Sequence, residues 1–203
     1  MRFLKLLAVL VAMGLIFAVG TMCSDQEEAK TEKIKAPEKV FSYVGYKKCK
    51  PCHLGSKIGA QSKVWESGPH AKAFAELASE QSLELAKKLE LKTEPQKAAE
   101  CLPCHVTAYG VPDSLKSERL TYEEGVSCEA CHGPGSDYWS NKVMKALRAG
   151  TQDRKEVGLW DQTEELCVTC HNKNSPTYKP FKFKEAVQAI AHPYPPEETE
   201  KKE

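Results

Sequence analysis

The chain has 203 residues, 41% of them apolar and 28% charged, with 29 basic against 28 acidic side chains. That balance belongs to soluble globular proteins and excludes a coiled coil, a collagen or a wholly disordered chain. A net charge of +1 lacks the clustered Lys and Arg excess that a phosphate backbone requires, so nucleic acid is excluded as a partner.

At the amino terminus Arg2 and Lys5 precede an uncharged run of Leu, Ala, Val, Ile, Phe and Gly over residues 6–22, followed at once by Ser24, Asp25 and Gln26. This is the charge-then-apolar pattern of an export signal. Residues 1–22 are therefore a signal peptide or an N-terminal membrane anchor. Three fates are open: cleavage near Ala18-Val19-Gly20, lipidation at Cys23, or retention as an anchor, because the run is also long enough to cross a thin bilayer. All three place the folded part in the periplasm or on the periplasmic face of the membrane. Loss of residues 1–22 removes two positive charges, leaving the rest at −1. Residues 23–39, mostly Glu, Lys, Ala and Thr with Pro37, cannot bury enough apolar area to order themselves and form a charged linker. Residues 40–192 form the ordered domain, and residues 193–203, with Pro195-Pro196 and then little but charge, form a loose tail.

Within the domain the pattern Cys-x-x-Cys-His occurs four times, at Cys49/Cys52/His53, Cys101/Cys104/His105, Cys128/Cys131/His132 and Cys167/Cys170/His171. Every one of the nine cysteines except Cys23 is used. Two thiols three residues apart on a turn reach the two vinyl positions of one porphyrin, and the adjacent imidazole meets the iron as proximal ligand. Zinc sites or disulfides are the competing uses of an even cysteine count, but neither explains a histidine after all four pairs. The spacing thus predicts four covalently attached haems c. The motifs begin 52, 27 and 39 residues apart, so they are not equal repeats. A domain of this size around four macrocycles has a core made largely of porphyrin, wrapped by short helices and long irregular connections.

Two helices are legible. Residues 71–89 carry Phe74, Leu77, Ala78, Leu85 and Leu89 with charge between, and Gly68-Pro69 marks the start. Residues 184–191 place Val187, Ile190 and Ala191 on one side of a shorter helix. No segment alternates with a period of two, so the fold is expected to be mainly α with much irregular coil.

Four haems with two imidazoles each need eight histidines, and the chain has six. The two outside the motifs, His70 and His192, lie at helix ends and are the candidate distal ligands. Two irons remain for a different sixth ligand or none. Met144, Lys142 and Tyr138 are the available side chains, although Met144 beside Val143 and Leu147 reads as core packing. An open iron binds small diatomic ligands.

Four segments together resemble the tetrahaem cytochrome c-554 family: Lys47-Lys48-Cys49, the stretch from Trp65 to His70-Ala71-Lys72-Ala73, the block Gly125-Val126-Ser127-Cys128-Glu129-Ala130-Cys131-His132-Gly133-Pro134-Gly135, and Phe181-Lys182-Phe183-Lys184-Glu185-Ala186-Val187 running to His192. The resemblance implies a mainly helical multihaem fold organised around four covalent haems. In ammonia oxidisers such a carrier takes electrons from hydroxylamine oxidoreductase and passes them towards the quinone pool. It also implies that the second haem, on Cys101, Cys104 and His105, is five-coordinate, and that His70 and His192 occupy distal positions. A third distal histidine belongs shortly after His132, where this chain has Asn141 and Lys142. The first haem, which receives that ligand in the family, lacks it here.

Each haem adds two propionates against one net positive charge on the iron–porphyrin, so four haems make the mature protein acidic. Its partners are expected to be redox proteins, an electron donor and an acceptor, meeting it through small, salt-sensitive contacts. Four haems leave little chain for any other substrate pocket, which points to electron transfer. The alternative is reduction of nitric oxide or a related nitrogen oxide at an open haem.

Overall fold

The computed structural model describes residues 39–195. The export segment, Cys23, all but the last residue of the linker and the end of the tail lie outside the described residues. Among those described, no helix is long and apolar enough to cross a membrane.

The described chain is helical with long irregular connections, as the sequence leads one to expect. Its helices are α1 (Tyr46–His53), α2 (Gln61–Ser67), α3 (Ala73–Glu76), α4 (Glu80–Lys88), α5 (Leu102–His105), α6 (Cys128–His132), α7 (Asn141–Arg148), α8 (Glu164–Val168) and α9 (Phe183–Ile190). Extended pairing among the described residues is confined to one isolated parallel bridge, Tyr43 with Lys116.

The helix expected over residues 71–89 is divided. After a 3-10 turn at His70–Lys72 and the short α3, the N–H groups of Leu77, Ala78 and Ser79 bond carbonyls only three residues back. Ser79 then adopts an extended conformation and its hydroxyl accepts from Ser82 N at 3.2 Å, starting α4 afresh. A serine at that point competes for backbone groups more effectively than the apolar spacing can hold one straight helix. The second expected helix, residues 184–191, is present as α9, shifted by one residue.

The apolar interior is thin. Nine hydrophobic residues are buried among those described, with two clusters: Leu77, Leu102 and Val106, and Tyr138, Val157 and Leu159. Between them polar connections hold the chain. Tyr46 and Trp65 join α1 to α2 with ring centres 4.3 Å apart, the Tyr46 hydroxyl and Lys50 both donate to Glu66 Oε1, and the Trp65 indole donates to Val126 O at 2.9 Å.

The strongest of these connections is Glu129, which is fully buried. Its carboxylate accepts from the backbone N–H groups of Val44 (2.9 and 3.1 Å), Gly45 (2.8 Å) and Gly135 (2.6 Å). One side chain thereby fastens the segment before α1 and the Gly-Pro-Gly turn to α6. Glycine is required at position 45, where φ is +82° and a Cβ would stand 2.9 Å from Arg119 O.

Candidate functional site

All four Cys-x-x-Cys-His segments fold as a single helical turn, in α1, α5, α6 and the end of α8. Residues i, i+3 and i+4 share one face of such a turn, so each pair of thiols and its histidine point to the same side. All eight of these cysteines are free. Among the described residues no group of three or more His, Cys, Asp or Glu is placed to hold a metal ion. Burial pushes the thiols of Cys104 and Cys131 up to about 11.

The motifs adjoin in an order different from that of the sequence. The thiols of Cys49 and Cys128 share a hydrogen bond that raises the first and lowers the second. Cys131 is near enough to Cys167 and Cys170 for each to raise it further, and Cys170 raises Cys104 in the same way. In space the sequence is therefore first, third, fourth, second.

Two large cavities border these turns. One of about 670 Å³ is lined by Cys49, His53, Cys128, Cys131, His132, His192 and Met144, among others. The other, of about 850 Å³, is lined by Cys104, His105, Cys131, Cys167, Cys170, His171 and His70. Both lie at the upper end of the sizes used for bulky ligands. Both thiols of the third and fourth motifs and one of each of the first and second stand on these walls, Cys52 and Cys101 lying outside them, and with a thin core and a histidine after each pair this fits porphyrin bonded to the chain.

The histidines outside the motifs stand opposite histidines within them. His70 faces His171 and His192 faces His132, both with ring centres 6.0 Å apart and planes at 69°. An imidazole bound at about 2.0–2.1 Å has its ring centre about 3 Å from the metal, so two on opposite sides of one metal are about 6 Å apart. Burial lowers the His70 pKa, and burial reinforced by His192 brings that of His132 down to about 4, so both rings are neutral and able to ligate.

Backbone oxygens and neighbouring side chains orient these rings. The Nδ1 atoms lie against Ala73 O for His105 (2.7 Å), Ile190 O for His192 (2.8 Å) and Gln61 Oε1 for His53 (3.3 Å). An Nδ1–H donated to oxygen leaves Nε2 as the free lone pair. His171 instead stacks on Phe181, centres 4.9 Å apart and planes at 16°. His70 is positioned through its backbone: its carbonyl accepts from Val126 N at 3.0 Å, an approach that Gly125 permits, since a Cβ there would stand 2.7 Å from that oxygen. Thr107 braces the same segment, accepting from Ser127 N and donating to Gly125 O. Of these partners, sequence reasoning missed Glu129, Gln61, Thr107 and the ligand-orienting carbonyls. Only the Glu enclosed between Cys128 and Cys131 carried a visible signal.

The family model described as cytochrome c554 and c-prime matches residues 48–133. Cytochrome c-554 of Nitrosomonas europaea is 32% identical over 179 residues, spanning 80% of this chain and 68% of that protein. A solved structure of the reduced state of cytochrome c554 from the same organism aligns with a TM-score of 0.49 and 27% identity, covering 74% of this chain and 79% of that one.

Proposed function

Because the chain belongs to the cytochrome c-554 family, as a multihaem c-type cytochrome of electron transfer, we propose that it carries electrons between a donor and an acceptor protein in the periplasm or on the periplasmic face of the membrane. Four covalent haems c supply reversible one-electron iron chemistry.

The residues divide the work as follows. Cys49 and Cys52, Cys101 and Cys104, Cys128 and Cys131, and Cys167 and Cys170 form the thioether attachments. His53, His105, His132 and His171 are the proximal ligands. His192 completes the third site and His70 the fourth, while the second, at His105, is left without an imidazole on its other side. Residues 1–22 address the chain for export, and the charged segments flanking residues 40–192 are spacers.

The observation that carries this reading is the contiguity of the four attachment turns. Cysteines of successive turns neighbour one another from the first motif through the third and fourth to the second. A row of this kind has two ends at which partners can exchange electrons. Imidazoles on both faces of the third and fourth sites keep small ligands out, which suits transfer rather than turnover.

The test is stopped-flow reduction of the holoprotein by a low-potential donor, followed by mixing with an oxidised acceptor cytochrome. Complete reduction and reoxidation, slowed by added salt, is the expected result. Absorbance that does not cycle between the two states would overturn the proposal.

A further inference from the structure

Histidine runs out before the first site is complete. Of six histidines, four belong to the motifs, and His70 and His192 face His171 and His132. Nothing of that kind faces His53, whose ring is held by Gln61.

Three side chains near the third motif carry a donor atom that iron accepts, and the structure separates them. Lys142 is exposed and does not line the cavity containing His53. Tyr138 lines it, but its hydroxyl donates to Gly133 O at 2.5 Å and stands 3.3 Å from His132 O, turned towards backbone of the third motif. Met144 lines the same cavity as Cys49 and His53. It lies at the middle of α7, whose start is fixed by the Ser140 cap and whose Val143 and Leu147 pack on Tyr138, Val157 and Leu159. Met144 thus sits on an anchored helix at the wall of the cavity that holds the first motif, one of the two motifs without a second histidine opposite. Thioether sulfur is a soft donor that binds haem iron opposite histidine and raises its potential.

We propose that Met144 is the sixth ligand of the first haem, opposite His53. The proposal rests on the reading that Cys49, Cys52 and His53 hold a haem, and it makes that haem the highest-potential one, at one end of the row. The third and fourth sites, with two imidazoles each, lie lower.

The test compares the oxidised holoprotein with Met144→Leu and Tyr138→Phe. The unchanged protein should show the weak far-red charge-transfer band of sulfur-bound ferric haem and one high-spin haem, the second. Met144→Leu should abolish the band, double the high-spin signal and lower the potential of one haem, with haem content retained. Tyr138→Phe should keep the band. A wild-type protein without the band, or with two high-spin haems, overturns the assignment, as does a Met144→Leu spectrum unchanged from wild type. If Met144→Leu fails to assemble, the wild-type spectrum alone decides. Failure of cycling in the wild-type protein would count against the electron-transfer reading instead, and leaves the spectroscopic result independent.

Discussion

Replacing Glu129 by Gln changes one oxygen to an NH₂ at a site where every neighbour is a donor. Oε1 accepts from Val44 and Gly135, and Oε2 from Val44 and Gly45. Whichever way the amide turns, at least one backbone N–H is left facing another donor in a pocket closed to water. Each unsatisfied buried donor costs about 1–3 kcal/mol, and bonds to a charged acceptor are worth about 1.5–3 kcal/mol. Part of this is returned because burial opposes the charge, raising the carboxyl's proton affinity against the pull of Val44, Gly135 and Gly45. The net loss expected for Glu129→Gln is about 3 kcal/mol. With a urea slope of about 2 kcal/mol per molar, the unfolding midpoint of the holoprotein should fall by about 1.5 M. Far-ultraviolet circular dichroism and Soret absorbance follow the same transition, and haem content should be unchanged because the thioethers do not involve Glu129. A midpoint within about 0.2 M of the parent, given the ordinary error of such extrapolations, would refute the reasoning that this carboxylate fastens α1 to α6.

Three further outcomes are expected. Gly125→Ala forces a Cβ to within 2.7 Å of His70 O at a backbone φ of +64°, so His70 should be displaced and a second high-spin haem appear in the electron paramagnetic resonance spectrum. His192→Ala removes the ring facing His132 and should convert the third haem to high spin, adding one cyanide-binding haem to the parent's second. Phe181→Ala removes the ring stacked on His171 at a cost of about 3 kcal/mol for an aromatic truncation, read as a lower unfolding midpoint while all four haems remain attached.

The parts of this molecule legible in its sequence are those fixed by short spacing. Each Cys-x-x-Cys-His is one helical turn, so local order alone brings the two thiols and the imidazole to one side. His70 and His192 were legible through counting and through their positions beside apolar helical spacing, and the structure sets them opposite His171 and His132. Longer helices were less legible. The periodic apolar stripe by which helices are recognised marks burial against protein, and here much of what is buried faces cavities instead. Hence α7 and the short α2 went unread as helices, and the break at Ser79 was missed because the hydroxyls of Ser79 and Ser82 override the stripe. Glu129 was visible between two thiols, but what it fastens was not, because its donors are backbone groups of Val44 and Gly45, 85 and 84 residues away. Met144 shows how one residue can support two readings. It does pack beside Val143 and Leu147 as its spacing suggests, and it also borders the cavity of His53.

Coulometric titration of the purified holoprotein, with the visible spectrum recorded at each step, addresses the account most directly. Four Cys-x-x-Cys-His turns predict four electrons taken up and returned per chain, reversibly and with haem α-band changes throughout. Fewer than four equivalents, or a colourless chain that takes up none, would contradict it.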